Sequence, residues 1–187
     1  MPALAMPART PPLRRLGPLS RVMEIVTSIG IVLVIVLTGL TLLLPDWTRN
    51  LLVAKLGQVG SALPVTPAAR VATAIVIAPP VVVMLWGLFA ARALFSEFAR
   101  GQVFTESAVR QLQRFAAAIL IQAPLGPIVS AALSVAVSLT NETGERMHAI
   151  TFSLHDYYAL IIGGVLFAAA TVMREAARIA AENASFI

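Results

Sequence analysis

Residues 25–44 read IVTSIGIVLVIVLTGLTLLL, a stretch of aliphatic and small side chains that contains no charge. A helix needs about 20 such residues to cross the roughly 30 Å hydrocarbon core of a bilayer. The stretch therefore predicts a membrane-spanning helix over about residues 23–44, which ends before Pro45, Asp46 and Trp47. Arg14, Arg15 and Arg21 precede it, as basic residues precede the core of a signal peptide. We interpret it as a retained span, because a signal core is shorter, about 7–15 residues, and no small-residue cleavage pattern follows.

Three more stretches have the length and hydrophobicity of a span, at about residues 71–94, 115–139 and 157–172. The whole chain of 187 residues is 58% hydrophobic and 12% charged, with a mean hydropathy of +0.86. Soluble domains carry about 25% charged residues, which excludes a soluble globule. We predict an all-α integral membrane four-helix bundle, formed as one domain over residues 21–187. Residues 1–20 contain five prolines and are predicted to form a disordered cytoplasmic leader.

Basic residues are distributed unequally between the two predicted sides of the membrane. One side carries Arg9, Arg14, Arg15, Arg21, Arg92, Arg100, Arg110, Arg114, Arg174 and Arg178, and the other carries Arg49, Lys55, Arg70 and Arg146. By the positive-inside rule, the richer side is cytoplasmic, which places both termini inside. The formal charge of +5 is then explained by the cytoplasmic flanks of the spans, and we predict no direct contact with nucleic acid.

The clearest local signals lie in the loop between the second and third spans, at residues 93–120, which we call the arginine hairpin. Arg100 followed by Gly101 predicts the end of a helix, because it joins a cation in the last turn to a residue that tolerates positive φ. Thr105 predicts the N-cap of the next helix, and Glu106 places an acid in its first turn. Both spans should therefore continue as short helical extensions on the inner face.

The surface of the arginine hairpin is a candidate binding site. Phe104 and Val109 occupy the two positions of a hydrophobic staple, while Arg110 and Arg114 lie one turn apart on the polar face. The hairpin is then either only a well-formed turn or a docking surface for a cytoplasmic partner, with anionic lipid headgroups as the alternative ligand. The candidate docking residues are Arg100, Gly101, Phe104, Thr105, Glu106, Arg110 and Arg114.

The chain offers few residues for chemistry. Cysteine is absent, only two histidines are present, and no phosphate-binding loop or nucleophile motif occurs. The acids and histidines around the last loop match no standard zinc spacing; they are Glu142, Glu145, His148, His155 and Asp156. We therefore predict no enzyme activity, no cofactor and no metal.

Gln122 is the candidate buried polar residue, in a span that is interrupted by Pro124, Gly126 and Pro127. A broken helix can mark a transport site, or it can be a kink whose freed carbonyls bond to a neighbour such as Gln122. We favour the kink, and the pair Pro79–Pro80 in the second span presents the same choice. No ionisable residue falls in the middle of a span, which argues against an ion-coupled transporter.

Small residues form a candidate helix-packing face in the last span, at Gly163, Gly164 and Ala168. Such faces let membrane helices approach closely. Packing within the bundle is the simpler interpretation, and contact with a second copy or with another membrane subunit is the alternative.

A family resemblance is carried by two short runs: GQVFT at residues 101–105, followed by Val109 and Leu112, and ARIAAEN at residues 177–183. In these runs the chain resembles the bacterial membrane family called domain of unknown function 2975. The resemblance implies four spans in a bacterial inner membrane and no catalytic residues. It also implies a partner, because genes of that family often lie beside one for a small helix-turn-helix regulator.

Three functional hypotheses follow. The first is a regulatory or accessory membrane protein that contacts a partner through the arginine hairpin. The second is a small permease or channel-like protein, and the third is a structural subunit of a larger membrane complex.

Overall fold

The computed structural model describes residues 16–57, 61, 65–103, 105–139 and 154–184, and its elements in this part of the chain are all helical. The helices are α1 (Leu16–Leu43), α2 (Pro45–Leu56), α3 (Pro67–Ala99), α4 (Glu106–Leu139) and α5 (Leu154–Ala184). Four of them are long and apolar enough to cross a membrane, over Gly17–Leu43, Pro67–Ala99, Glu106–Ala136 and Leu154–Ile179. The prediction of an all-α, four-span fold is confirmed.

The long helices pack side by side in chain order. Among the described residues, α1 contacts α3, α3 contacts α4 and α4 contacts α5, while α1 and α5 do not contact each other. Neighbouring helices run antiparallel, so that Gly30 of α1 faces Leu88 of α3 and Gly87 of α3 faces Ala118 of α4. The result is an open bundle. We call its two ends the hairpin end, where α3 turns into α4, and the α2 end.

The outer surfaces of α1 and α5 are strongly apolar. Ile25, Ile29 and Val32 of α1 are each 60% exposed, and Val165 and Val172 of α5 are at least as open. A soluble monomer rarely exposes apolar patches of this extent. The helices are therefore apolar enough to contact lipid tails directly.

The predicted continuation of helix beyond the spans is present. Helix α3 ends at Ala99 and α4 begins at Glu106, next to the predicted limits at Arg100 and Glu106, and α5 continues to Ala184. At the other end of the sequence, α1 begins at Leu16, so residues 16–20 of the predicted leader are helical. Pro18 fits there because the first turn of a helix has no backbone bond for proline to remove. Residues 1–15 lie outside the described part of the chain.

Helix α2 is a short element that our sequence analysis did not predict. Its limits nevertheless carry standard signals: Pro45 is the first helical residue, Asp46 lies in the first turn and Lys55 lies in the last. Gly57 ends the helix with φ of 63°, and its amide donates to the carbonyl of Val53 over 2.8 Å. Proline after a membrane span indicates the end of that span, and here it also begins a new helix.

One face of α2 closes the core at its end of the bundle. Leu52 and Leu56 of α2 form a buried cluster with Val129 and Leu133 of α4, and Val76 of α3 packs against this cluster. Leu52 is 0% exposed. Burying a leucine side chain contributes about 1.5–3 kcal/mol, so these contacts fix α2 against both helices.

The last carbonyls of α1 are bonded by side chains from outside the helix. The guanidinium of Arg70, in the first turns of α3, donates to the carbonyl of Leu42 and, over 2.7 Å, to that of Leu43. The hydroxyl of Thr48 in α2 donates to the carbonyl of Thr41 over 2.6 Å. These bonds matter because the final carbonyls of a helix lack partners within it, and unpaired backbone groups are costly near lipid.

Candidate functional sites

The turn of the arginine hairpin begins with a regular helix cap. Gly101 has φ of +79°, a backbone conformation that residues other than glycine rarely adopt. Its amide donates to the carbonyl of Phe98, and the amide of Gln102 donates to the carbonyl of Glu97, each over 3.0 Å. This bonding pattern is the Schellman motif, in which Arg100 is the C-cap of α3 and Gly101 is the residue after the cap. Gly101 has the positive φ that was predicted for it, whereas Arg100 is the C-cap residue and does not lie in the last turn of α3.

The next helix begins at the predicted N-cap. The Oγ1 of Thr105 accepts a bond from the amide of Ala108 over 3.2 Å, and its carbonyl accepts from the amide of Val109 over 3.1 Å. Glu106 occupies the first turn of α4, where a negative charge is favoured. Phe104 lies outside the described residues, so its packing against Val109 stays a prediction.

Glu97, which was not among the predicted site residues, connects the two sides of the turn. Its Oε2 accepts a bond from the hydroxyl of Thr105 over 3.0 Å, and its Oε1 accepts from the hydroxyl of Ser107. An acid near the C-terminus of a helix is disfavoured by the helix dipole. Its presence in the last turn of α3 was therefore a signal that a specific partner lies close by.

The arginines of the hairpin take little part in holding the turn. Arg110 lies 4.0 Å from Glu106, with both side chains more than 60% exposed, and such surface pairs contribute little to stability. Arg100 and Arg114 are exposed and form no ion pair within the described part of the chain. By contrast, Arg178 in α5 pairs with Glu175 at 2.5 Å and with Glu182 at 3.7 Å. The cations of the hairpin thus remain available at the surface.

The proline-containing spans are continuous helices. Helix α3 runs through Pro79 and Pro80, and α4 runs through Pro124 and Pro127. The side chain of Gln122 makes no hydrogen bond with any described residue, and its Oε1 is buried without a partner. Among the described residues no hydrogen bond joins Gln122 to a backbone carbonyl, and the interpretation of the prolines as a kink stays a prediction.

A cavity of about 350 Å³ lies at the α2 end and is lined by all five helices. We call it the α2-end cavity. Most of its wall is aliphatic, and six polar or charged residues line the remainder: Thr38, Thr41, Lys55, Gln122, His155 and Asp156. His155 and Asp156, which were predicted to lie in the last loop, are in the first turn of α5.

Asp156 fixes the approach of α5 to α4 at this cavity. A Cβ added to Gly126 would overlap the Asp156 carboxylate, with the Cγ only 2.9 Å away. The carboxylate therefore rests directly on the backbone of α4, which only glycine permits. Gly126, which we interpreted as a helix interruption, instead provides the space for this contact.

The three small residues of α5 separate into two groups. Gly163 is buried, and a Cβ added to it would lie 3.0 Å from the backbone nitrogen of Leu120, so it serves packing within the bundle. A Cβ added to Gly164 would meet nothing within 4 Å, and Ala168 is exposed. The structure does not bring these two residues into the bundle's own helix contacts.

Within the described residues, no group of three or more His, Asp or Glu side chains could hold a metal ion. Glu142, Glu145 and His148 lie outside that part of the chain.

The fold and its surfaces define a multi-pass, all-helical membrane protein with an apolar lipid-facing exterior. The model of the family described as protein of unknown function DUF2975 matches residues 54–187. The chain belongs to this family. The match covers the end of α2 and all of α3, α4 and α5, while α1 lies outside it. No curated protein and no solved structure matches the chain significantly.

Proposed function

We propose that this protein is a regulatory or accessory protein of the bacterial inner membrane, acting by contact of its arginine hairpin with a cytoplasmic partner. The supporting observation is the division of labour in the hairpin. The backbone caps and Glu97 hold the turn, whereas Arg100, Arg110 and Arg114 are exposed and contribute little to it. A rigid turn that presents cations binds a partner with little loss of conformational entropy.

The charge distribution supports a cytoplasmic location for the hairpin end. Among the described residues, that end carries Arg21, Arg92, Arg100, Arg110, Arg114, Arg174 and Arg178, whereas the α2 end carries Arg49, Lys55 and Arg70. The positive-inside rule assigns the richer end to the cytoplasm, so both chain termini should be inside. A reporter fused after residue 187 should be active only in the cytoplasm, and activity only on the outer side would contradict this topology.

The partner that we propose is a small soluble helix-turn-helix regulator with an acidic surface. Arg110 and Arg114 lie one turn apart on α4, which places their charges side by side on one face. Anionic lipid headgroups also attract these arginines, and each cation near such a surface gains about 1 kcal/mol without any protein partner. An experiment must therefore distinguish binding of the regulator from binding of lipid.

The test measures binding of the proposed helix-turn-helix regulator to the full-length protein in nanodiscs of neutral phosphatidylcholine. The double variant Arg110→Glu/Arg114→Glu should weaken binding by more than about tenfold, because its two carboxylates would repel the acidic surface of the regulator. The control Arg21→Glu/Arg174→Glu makes the same charge change elsewhere at the hairpin end and should retain binding. Equal binding by wild type and the hairpin variant would refute the docking surface.

A small permease is the second candidate, and the α2-end cavity favours it because the cavity reaches Gln122 near the middle of α4. A permease must release a solute to the other side. Proteoliposome swelling in glycerol and in amino acids should then depend on Gln122, and loss of swelling in Gln122→Leu would favour this candidate over the first.

A further inference from the structure

The α2-end cavity lies where α1 and α5 face each other without touching. Thr38 of α1 and Asp156 of α5 both line it, although the two helices make no direct contact among the described residues. Its volume, about 350 Å³, falls within the range of small-molecule sites, roughly 300–1,000 Å³. The open bundle thus contains a space of ligand size between its first and last helices.

The polar groups of the cavity are arranged along its length. Lys55 and His155 are exposed and mark its outer part. Val129 lines the cavity where α4 packs against α2. Gln122 lies seven residues earlier on α4, which corresponds to about 10 Å along the helix axis. The cavity therefore extends from a charged rim towards an amide in the interior, with aliphatic walls between them.

Gln122 is the residue that indicates a ligand. Its Oε1 is enclosed and has no hydrogen-bond partner among the described residues. An unpaired buried acceptor destabilises a protein, and nearly all such groups in native structures have a partner. The terminal torsion of glutamine is broad, so the amide can rotate towards the cavity when a donor is present there.

Water alone is a poor occupant of this space. A buried water needs two to four polar partners, and most of the residues that line the cavity are apolar, with Ile77, Val81 and Leu125 among them. An apolar molecule fills such walls well but leaves the amide oxygen unpaired. A molecule that is mostly apolar and carries one hydroxyl or N–H group satisfies both requirements.

We propose that the α2-end cavity binds a small, mostly apolar molecule with a hydroxyl or N–H group, which donates a hydrogen bond to the side-chain oxygen of Gln122. This site is separate from the arginine hairpin. Its binding should therefore be unchanged in the variant Arg110→Glu/Arg114→Glu, whatever the outcome of the docking experiment.

The experiment compares two probes of nearly equal shape, 2-naphthol and 2-methylnaphthalene, of which only the first donates a hydrogen bond. Binding is measured by equilibrium dialysis against the full-length protein in phosphatidylcholine nanodiscs, after subtraction of empty nanodiscs. We expect saturable binding of 2-naphthol at one molecule per chain. Gln122→Leu should weaken it about fivefold, the usual effect of one neutral hydrogen bond, and should leave 2-methylnaphthalene unaffected.

Two further variants complete the design. Thr38→Phe fills the cavity from α1 and should abolish saturable binding of both probes. Gln113→Leu makes the same chemical change as Gln122→Leu on the same helix, away from the cavity, and should change nothing. Unaltered 2-naphthol affinity in Gln122→Leu, or saturable binding that survives Thr38→Phe, would overturn the proposal. If the Gln122→Leu variant still binds 2-methylnaphthalene, its cavity is intact.

Discussion

Replacing Glu97 with leucine should open the turn of the arginine hairpin about 100-fold more often. The carboxylate accepts one hydrogen bond from the hydroxyl of Thr105 and one from that of Ser107. Hydrogen bonds to a charged group contribute about 1.5–3 kcal/mol, and the half-buried position of Glu97 favours the lower value. The two bonds together then contribute about 3 kcal/mol, which corresponds to about 100-fold in the opening equilibrium.

Hydrogen exchange of the backbone amides in the turn measures this opening directly. In the full-length protein in nanodiscs, the amides of Gly101, Gln102 and Ala108 should lose about 100-fold of their protection in Glu97→Leu. Glu97→Gln keeps an acceptor for one hydroxyl and should lose only about tenfold, the equivalent of one charge-assisted bond.

A matched acid on the same hairpin provides the control. Glu106 is exposed and lies 4.0 Å from Arg110, so Glu106→Leu should reduce protection by less than about fivefold. If Glu97→Leu leaves the exchange of the turn amides unchanged, the two hydroxyl contacts do not order the turn. The distinction between the groups that hold the turn and the exposed arginines would then have no support.

Two other changes test how the helices are held together. Arg70→Leu should lower the free energy of unfolding by about 3 kcal/mol, because it leaves the last two carbonyls of α1 without a charged donor. Thermal unfolding followed by circular dichroism measures this loss, with Arg49→Leu, a change at an exposed arginine, as the control. Equal midpoints for the two variants would refute the prediction. Gly163→Val should destabilise the bundle by about 1–3 kcal/mol, because the valine side chain would overlap α4, whereas Gly164→Val should be nearly neutral. Equal unfolding midpoints for these two variants would show that α5 does not pack as described.

Features that depend on neighbouring residues could be predicted from the sequence. The four spans follow from hydrophobic length, and the caps at Gly101 and Thr105 follow from a few adjacent residues. Helix α2 was also readable, since Pro45, Asp46 and Lys55 carry the usual end signals. It was missed because the proline was interpreted only as the end of a span.

Features that join distant parts of the chain could not be predicted. Arg70 bonds to carbonyls 27 and 28 residues earlier, and no periodicity in the sequence links these positions. The α2-end cavity depends on how α1 and α5 are placed across the bundle, and hydropathy does not contain that information. Gly126 was interpreted through its neighbouring prolines, whereas its role depends on Asp156 in another helix.

The bond from Arg70 to the end of α1 has a consequence for biogenesis. When α1 enters the bilayer ahead of α3, the residue that will bond to its last carbonyls lies 27 and 28 residues later in the chain and is not yet in place. Water and headgroups must hydrate the carbonyls of Leu42 and Leu43 until α3 follows and its first turns replace them. The end of α1 therefore reaches its final arrangement only after the first turns of α3 have joined it, and α1 alone is an incomplete intermediate.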